Sequence, residues 1–203
     1  MNILGFLIFF GLLMIVVSVH EFAHGWVAYK LGDTTAKYSG RLTLNPLAHI
    51  DPIGTVILPL FIFITTGFFI GTAKPVPINY WALKNPKRDI IWIGLSGPLA
   101  NFIFALVLSI IFRIIPHIPA VSFVLQNLIF INVMLGVFNL IPIPPLDGSR
   151  VLMGILPPEL ATKYALIEPF GFIVIMVLIW SGILNLIPLI NHLCNLLGVS
   201  LTI

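Results

Sequence analysis

Residues 2–19 run without a charged side chain, and comparable apolar stretches recur at about 89–112, 120–141 and 164–187. About 18 or more apolar residues are enough to cross a bilayer as a helix. In hydrocarbon a helix also satisfies its own backbone polar groups, which few other structures can do. Composition agrees: charged residues make up 8% of 203, and the mean hydropathy is +1.12. A soluble domain carries about a quarter of its residues as charges, so that class is excluded. Disorder is excluded as well, because it requires low hydrophobicity. The net charge of +3 is dispersed, without the clustered Lys/Arg of a nucleic-acid surface. A single cysteine, Cys194, excludes an intrachain disulfide and a Cys-rich metal site.

The first apolar run lacks the basic n-region and small-residue cleavage site of a signal peptide, and His20-Glu21 follows it directly. We therefore expect a retained helix from residue 3 to about 30, roughly 40 Å long. A polar connector at 30–51 follows, in which 38–44 alternates weakly and is compatible with a short strand. Residues 52–71 are apolar but interrupted by Pro52, Gly54, Pro59 and Gly67, which predicts a broken or re-entrant segment. A Pro-rich polar segment at 142–163 separates the last two spans. The expectation is an all-α polytopic membrane protein, one domain over 1–203. It has about four to five transmembrane helices plus the segment at 52–71.

Within the first helix, His20-Glu21-Phe22-Ala23-His24 is an HExxH motif. Spacing i, i+4 puts both imidazoles on one helix face, within reach of one ion. Glu21 lies about 100° round the helix, where it can meet a water beside that ion. The plain alternative is two histidines satisfied by neighbouring helices. Three ionisable groups in a membrane helix are costly, however, and mark function. Gly25, next in sequence, would let another backbone approach closely.

A catalytic zinc takes three protein ligands and leaves one position open. Candidates for the third are His49, Asp51, Asp89, His117, Asp147, Glu159, Glu168 and His192. Asp147 stands out because it follows an apolar span through Pro142, Pro144 and Pro145, which prevent a regular helix. Irregular backbone at membrane depth belongs where it lines a cavity. The other reading of Asp147 is an ordinary cap on the next helix. Gly94, Gly97, Asn101 and Ala105 fall near one helical face and would allow close packing against the first helix.

Three segments, His20–His24, Ser96-Gly-Pro-Leu-Ala-Asn101 and Asn139-Leu-Ile-Pro-Ile-Pro-Pro-Leu-Asp-Gly148, closely resemble the signature segments of the site-2 protease family of intramembrane zinc metalloproteases. Their order and separation match as well. The resemblance implies one zinc per chain held by His20, His24 and Asp147, with Glu21 as the catalytic acid/base. It places Asn101 and Asn139 as polar residues near the reaction. The stretches Arg41-Leu-Thr-Leu-Asn-Pro46, His49-Ile-Asp-Pro52 and Ala73-Lys-Pro-Val-Pro77 look like a short prokaryotic subgroup without PDZ or accessory nucleotide-binding domains. The implied substrate is a transmembrane protein or peptide, unwound before attack and held by strand addition to a segment such as 38–44. The expected setting is the lipid bilayer of a prokaryotic cell, with no nucleic-acid partner and with the active site nearer the cytoplasmic face. A zinc or ion transporter and a non-proteolytic metal-binding membrane protein are the alternatives. The transporter does not account for a glutamate between the two histidines or for the Pro-Pro-Leu-Asp-Gly segment, and the non-proteolytic protein does not account for the presence of every catalytic residue that the resemblance implies.

Charge distribution tests the topology separately. If 52–71 crosses the bilayer, the ten basic residues divide four against six between the two sides. If 52–71 re-enters, all but Arg113 fall on one side, as the positive-inside rule requires. Re-entry also brings Asp147 to the face that carries His24.

Overall fold

The computed structural model describes residues 3–66, 73–116 and 118–199, and these contain helices, turns and loops with no strand. Among the described residues four segments are long and apolar enough to cross a membrane: Ile3–Lys30, Pro86–Ile114, Pro119–Asn139 and Pro158–Trp180. The first three are continuous helices, α1, α4 and α5. The fourth is broken into α7 (Pro158–Ala165), a 3-10 turn at Glu168–Phe170 and α8 (Gly171–Trp180). Short helices α2 (Thr35–Tyr38), α3 (Leu58–Thr66), α6 (Asp147–Ile155) and α9 (Ile187–Leu196) complete the described chain.

Proline sets most of the boundaries. Pro86 and Pro119 open α4 and α5, positions where the missing N–H would have been unpaired anyway. Pro116 follows the end of α4, and Pro142 follows the end of α5. The Asp89 carboxylate in the first turn of α4 accepts from Asn85 N–H at 2.9 Å and suits the positive end of the helix dipole.

Burial is arranged for a lipid environment. Leu4, Leu7, Ile103, Leu106 and Ile110 face outward, whereas Ser18, His20, His24, Asn101 and Asn132 are enclosed. Charged and polar groups inside a membrane bundle face its interior in this way. The apolar core joins α1, α4, α5 and α9 through Leu12, Val16, Leu108, Ile129, Val133 and Cys194. Helix α4 is the hub and packs on α1, α5 and α6.

The insert at 52–71 opens with a π-helical turn, Pro52–Ile57, and continues as α3, whose Phe63 ring stacks on Phe6 of α1 with centroids 4.5 Å apart. Its last part, 67–71, lies outside the described residues. Lys74 N–H donates to His49 O at 2.9 Å. The excursion therefore leaves and rejoins the protein at one point, a re-entrant arrangement rather than a crossing.

The short strand considered for 38–44 is not formed. Tyr38 closes α2, and Gly40 turns the chain at φ +70. The N–H groups of Ser39, Gly40 and Arg41 fold back onto Thr35 O, Lys37 O and Ala36 O at 3.0, 3.1 and 3.0 Å. Donors closing a helix end are not available to a strand ladder. The irregular chain that runs beside the site is residues 73–79.

Candidate metal centre

His20 and His24 project from one face of α1, and the unwound link between α5 and α6 delivers Asp147 to them. Asn139 ends α5, and Asp147 begins α6, so its carboxylate stands at a helix N-terminus. The turn is tight enough to require Gly148: a Cβ there would lie 2.5 Å from Leu140 C and 2.6 Å from Ile141 O.

The three donors form a nearly equilateral triangle. His20 Nε2 is 3.0 Å from Asp147 Oδ2, His24 Nε2 is 3.2 Å from the same oxygen, and the two Nε2 atoms are 3.0 Å apart. Donors bonded at about 2.0–2.1 Å to a tetrahedral zinc stand about 3.3 Å apart. Among the described residues this is the one group of His, Cys, Asp and Glu side chains that could hold a metal. Both histidines are buried and Asp147 is partly so.

The far side of each imidazole is occupied by α4. His24 Nδ1 lies 2.7 Å from Ile93 O, an atom that only accepts, so Nδ1 carries the proton and Nε2 presents its lone pair. Ser96 Oγ stands 3.2 Å from the same Nδ1 and donates to Ile93 O at 2.7 Å. His20 Nδ1 lies 3.1 Å from Asn101 Nδ2, while Asn101 Oδ1 is buried without a partner. A half-turn of that amide gives Oδ1 a donor in His20 Nδ1–H and likewise frees His20 Nε2 to ligate. Asn101 is fully buried and touches His20.

The close approach of α4 depends on Gly97, whose hypothetical Cβ would stand 2.6 and 2.7 Å from His20 Cε1 and Nε2, and nearer still to His24 Nε2. Gly94 faces α6 instead, with its own hypothetical Cβ 3.0 Å from Asp147 O. The set of small residues read from the sequence thus divides between two partners.

Two cavities meet at the site. One, about 470 Å³, is mainly apolar and lies among α1, α5 and α8, lined by Phe10, Leu13, Met134, Phe138, Phe172 and Met176. The other, about 320 Å³, opens on the loop side between Tyr80, Pro145, Asp147 and Arg150. His20, Glu21 and Asn139 line both. Asn139 also donates to Leu135 O at 3.0 Å, which orients its amide.

Of the other ligand candidates, His49 is buried with Nε2 3.1 Å from Thr43 O, and Asp51 accepts from Gly54 N–H at 2.6 Å. Asp89 caps α4, Glu168 pairs with Arg150 at 3.0 Å, and His192 is exposed on α9. Glu159 lies in the first turn of α7, and His117 is outside the described residues. Sequence reasoning marked Ala73–Pro77 by resemblance alone and missed its contact with the site, where Val76 N–H donates to Glu21 Oε2 at 2.8 Å. The signal available for it was the Pro-Val-Pro triplet.

The sequence model of peptidase family M50 matches residues 8–123 and 115–178. "Putative zinc metalloprotease YwhC" of Bacillus subtilis is 37% identical over 191 residues, covering 88% of this chain and 84% of that protein. "Putative zinc metalloprotease Rip2" of Mycobacterium tuberculosis (strain H37Rv) is 30% identical over 191 residues, 92% of this chain and 73% of its own length. "Zinc metalloprotease MJ0392" of Methanocaldococcus jannaschii is 30% identical over 155 residues, 76% of this chain but 36% of that protein. No solved structure matches the chain.

Proposed function

The chain belongs to peptidase family M50, a membrane zinc metallopeptidase of the site-2 protease type, and from that premise we propose that it hydrolyses peptide bonds in or near the transmembrane segments of other membrane proteins. The observation that carries this reading is the donor triangle of His20, His24 and Asp147, with Glu21 beside it at the meeting of an apolar and a polar cavity. One zinc per chain held by those three side chains would supply Lewis acidity, acidifying water and polarising a carbonyl.

The protein groups do the rest. Ile93 O and Asn101 orient the two imidazoles, so that both Nε2 atoms converge with Asp147 Oδ2. Glu21, from the same turn of α1, takes a proton from the attacking water and later delivers it to the leaving amine. In this reading Asn139, which lines both cavities, hydrogen-bonds a substrate carbonyl. The apolar cavity suits the side chains of a membrane-spanning substrate, and the polar cavity gives water a route. A substrate helix must unwind to expose its scissile bond. Segment 73–79 runs past Glu21; the N–H groups of Lys74, Val76 and Asn79 are committed within the protein, so it is its carbonyl groups that this reading offers to the freed N–H groups of an unwound substrate. The excess of basic residues on the side of the bilayer that carries the site supports, under the positive-inside rule, a cytoplasmic-facing site in a prokaryotic cell membrane.

Glu21→Gln tests the reading. Purified in detergent, it should keep one zinc per chain and lose cleavage of a model transmembrane substrate. Full activity in that variant would refute the role of Glu21.

A further inference from the structure

The segment that covers the site has a feature that the metal centre does not explain. Pro75 and Pro77 carry no N–H, so Val76 supplies the one main-chain donor in the triplet. That donor is directed at Glu21 Oε2, 2.8 Å away. Val76 is buried, and its side chain rests on Gly25, one turn beyond Glu21 on the same face of α1. A Cβ on Gly25 would lie 3.1 Å from Val76 Cγ1. Backbone and side chain of one residue therefore engage two successive turns of the helix that carries the HExxH motif.

The segment is fastened on both sides of this contact. Before it, Lys74 N–H donates to His49 O at 2.9 Å, and Arg41 Nη1 donates to Pro75 O at 2.8 Å. After it, Asn79 N–H donates to Asp33 Oδ2 at 2.7 Å. Asp33 is fully buried, and its other oxygen accepts from Thr35 N–H at 2.9 Å and Thr35 Oγ1 at 2.5 Å. A buried carboxylate with three donors is a rigid anchor. These ties also account for polar groups at 33, 41 and 49 that lie away from the donor triangle.

We propose that the Val76 main-chain N–H is a positioning group for Glu21. It holds Oε2 and thereby turns Oε1 toward the water that the reaction consumes. The strap 73–79 thus acts on catalysis through Glu21 and not through the metal ligands. This rests on the reading of Glu21 as proton acceptor. It implies that the N–H, not the valine side chain, is the required element at position 76.

The experiment compares Val76→Pro, which deletes the donor, with Val76→Ala, which keeps it, in the zinc-loaded full-length protein in detergent. A hydrogen bond to a charged group is worth about 10- to 100-fold in rate when the transition state depends on it. Val76→Pro should lower kcat by about that factor, with KM and zinc stoichiometry retained. Val76→Ala should keep at least about tenfold more activity than Val76→Pro. Should the proline variant lose its zinc, replacing Val76 by its α-hydroxy acid, which exchanges the amide for an ester, removes the donor alone and is judged by the same criteria. Equal losses in donor-deleted and donor-keeping variants, or wild-type kcat without the donor, would overturn the proposal. Glu21→Gln assayed in parallel separates the two readings. Its full activity would remove Glu21 as the base, whereas an inactive Glu21→Gln beside a fully active Val76→Pro would remove only the strap.

Discussion

Adding one methyl group to Gly97 tests the metal centre without touching a ligand. A Cβ at that position would stand 2.6 and 2.7 Å from His20 Cε1 and Nε2, and closer still to His24 Nε2. Comfortable contact between such atoms begins near about 3.5 Å, so α4 must withdraw, or the rings must swing, by about 1 Å. Metal–ligand distances tolerate about 0.2 Å; the displacement is several times larger. Withdrawal of α4 also loosens the second contacts of both imidazoles, His24 Nδ1 with Ile93 O at 2.7 Å and His20 Nδ1 with Asn101 at 3.1 Å. Loss of one such contact weakens metal affinity about 10- to 100-fold, so with both affected a fall of about 100-fold or more is expected. Overpacking adds about 1–3 kcal/mol of destabilisation. The measurement is zinc competition against a chromophoric chelator on apoprotein in detergent, with helix content followed by circular dichroism. Gly11→Ala serves as control, because nothing lies within 4 Å of a Cβ at Gly11. Wild-type zinc affinity in Gly97→Ala, with helix content retained, would refute the close approach of α4 to the histidines.

Three further outcomes are expected. Asn101→Leu should weaken zinc binding by about 10- to 100-fold, while Asn101→Asp, which keeps an acceptor oxygen toward His20 Nδ1, should stay closer to wild type. Equal losses would show that the amide does not accept from His20. Stripping zinc with a chelator should lower the thermal midpoint, and excess zinc at about 100 times its Kd should restore about 2.7 kcal/mol; an unchanged midpoint would argue against a folded-state metal site. Cys194, fully buried with its thiol pushed up to about 11 by burial, should resist maleimide near neutral pH until the protein is denatured. Labelling at the rate of a free thiol would contradict its place in the core.

How legible each part was depended on whether its cause is local. The four spans could be read because a bilayer imposes length and hydropathy on any helix that crosses it. His20 and His24 could be paired because helical spacing alone puts them on one face. Asp147 was singled out by the prolines before it, which break α5 just where a cavity needs an irregular wall. The re-entrant insert followed from the placement of basic residues and agrees with the His49–Lys74 contact that closes it. What stayed hidden was tertiary. Alternation at 38–44 suggested a strand, but a ladder needs a partner, and the helix-closing bonds after α2 took the donors first. Nothing in Pro75-Val76-Pro77 reveals that Val76 meets Glu21, 55 residues away. Gly97 was readable as a packing glycine, yet that the packed atoms are the imidazoles themselves is visible only in three dimensions.

The low dielectric of the surroundings also bears on which ion the site can hold. Both histidines present neutral nitrogens when their Nδ1 protons are committed to Ile93 O and Asn101, so the charges left are the carboxylates of Asp147 and Glu21. Two carboxylates lining one cavity walled by α1 and α4 would be expensive to bury without a counter-charge. A divalent cation balances them; a monovalent one would leave a net charge. The basic side chain that lines the polar cavity is already engaged elsewhere. Arg150 lines the polar cavity, but its guanidinium is held by Glu168 at 3.0 Å and lies 5.8 Å from the ring of Tyr80. Nitrogen and oxygen donors in a three-point arrangement, enclosed on the α4 side and open toward Glu21, suit zinc better than calcium or magnesium, which favour six or more oxygens. Charge balance and donor chemistry therefore converge on the ion that the family relationship names. They also give Glu21 a part in the electrostatic fit of the site beyond its proposed role as base.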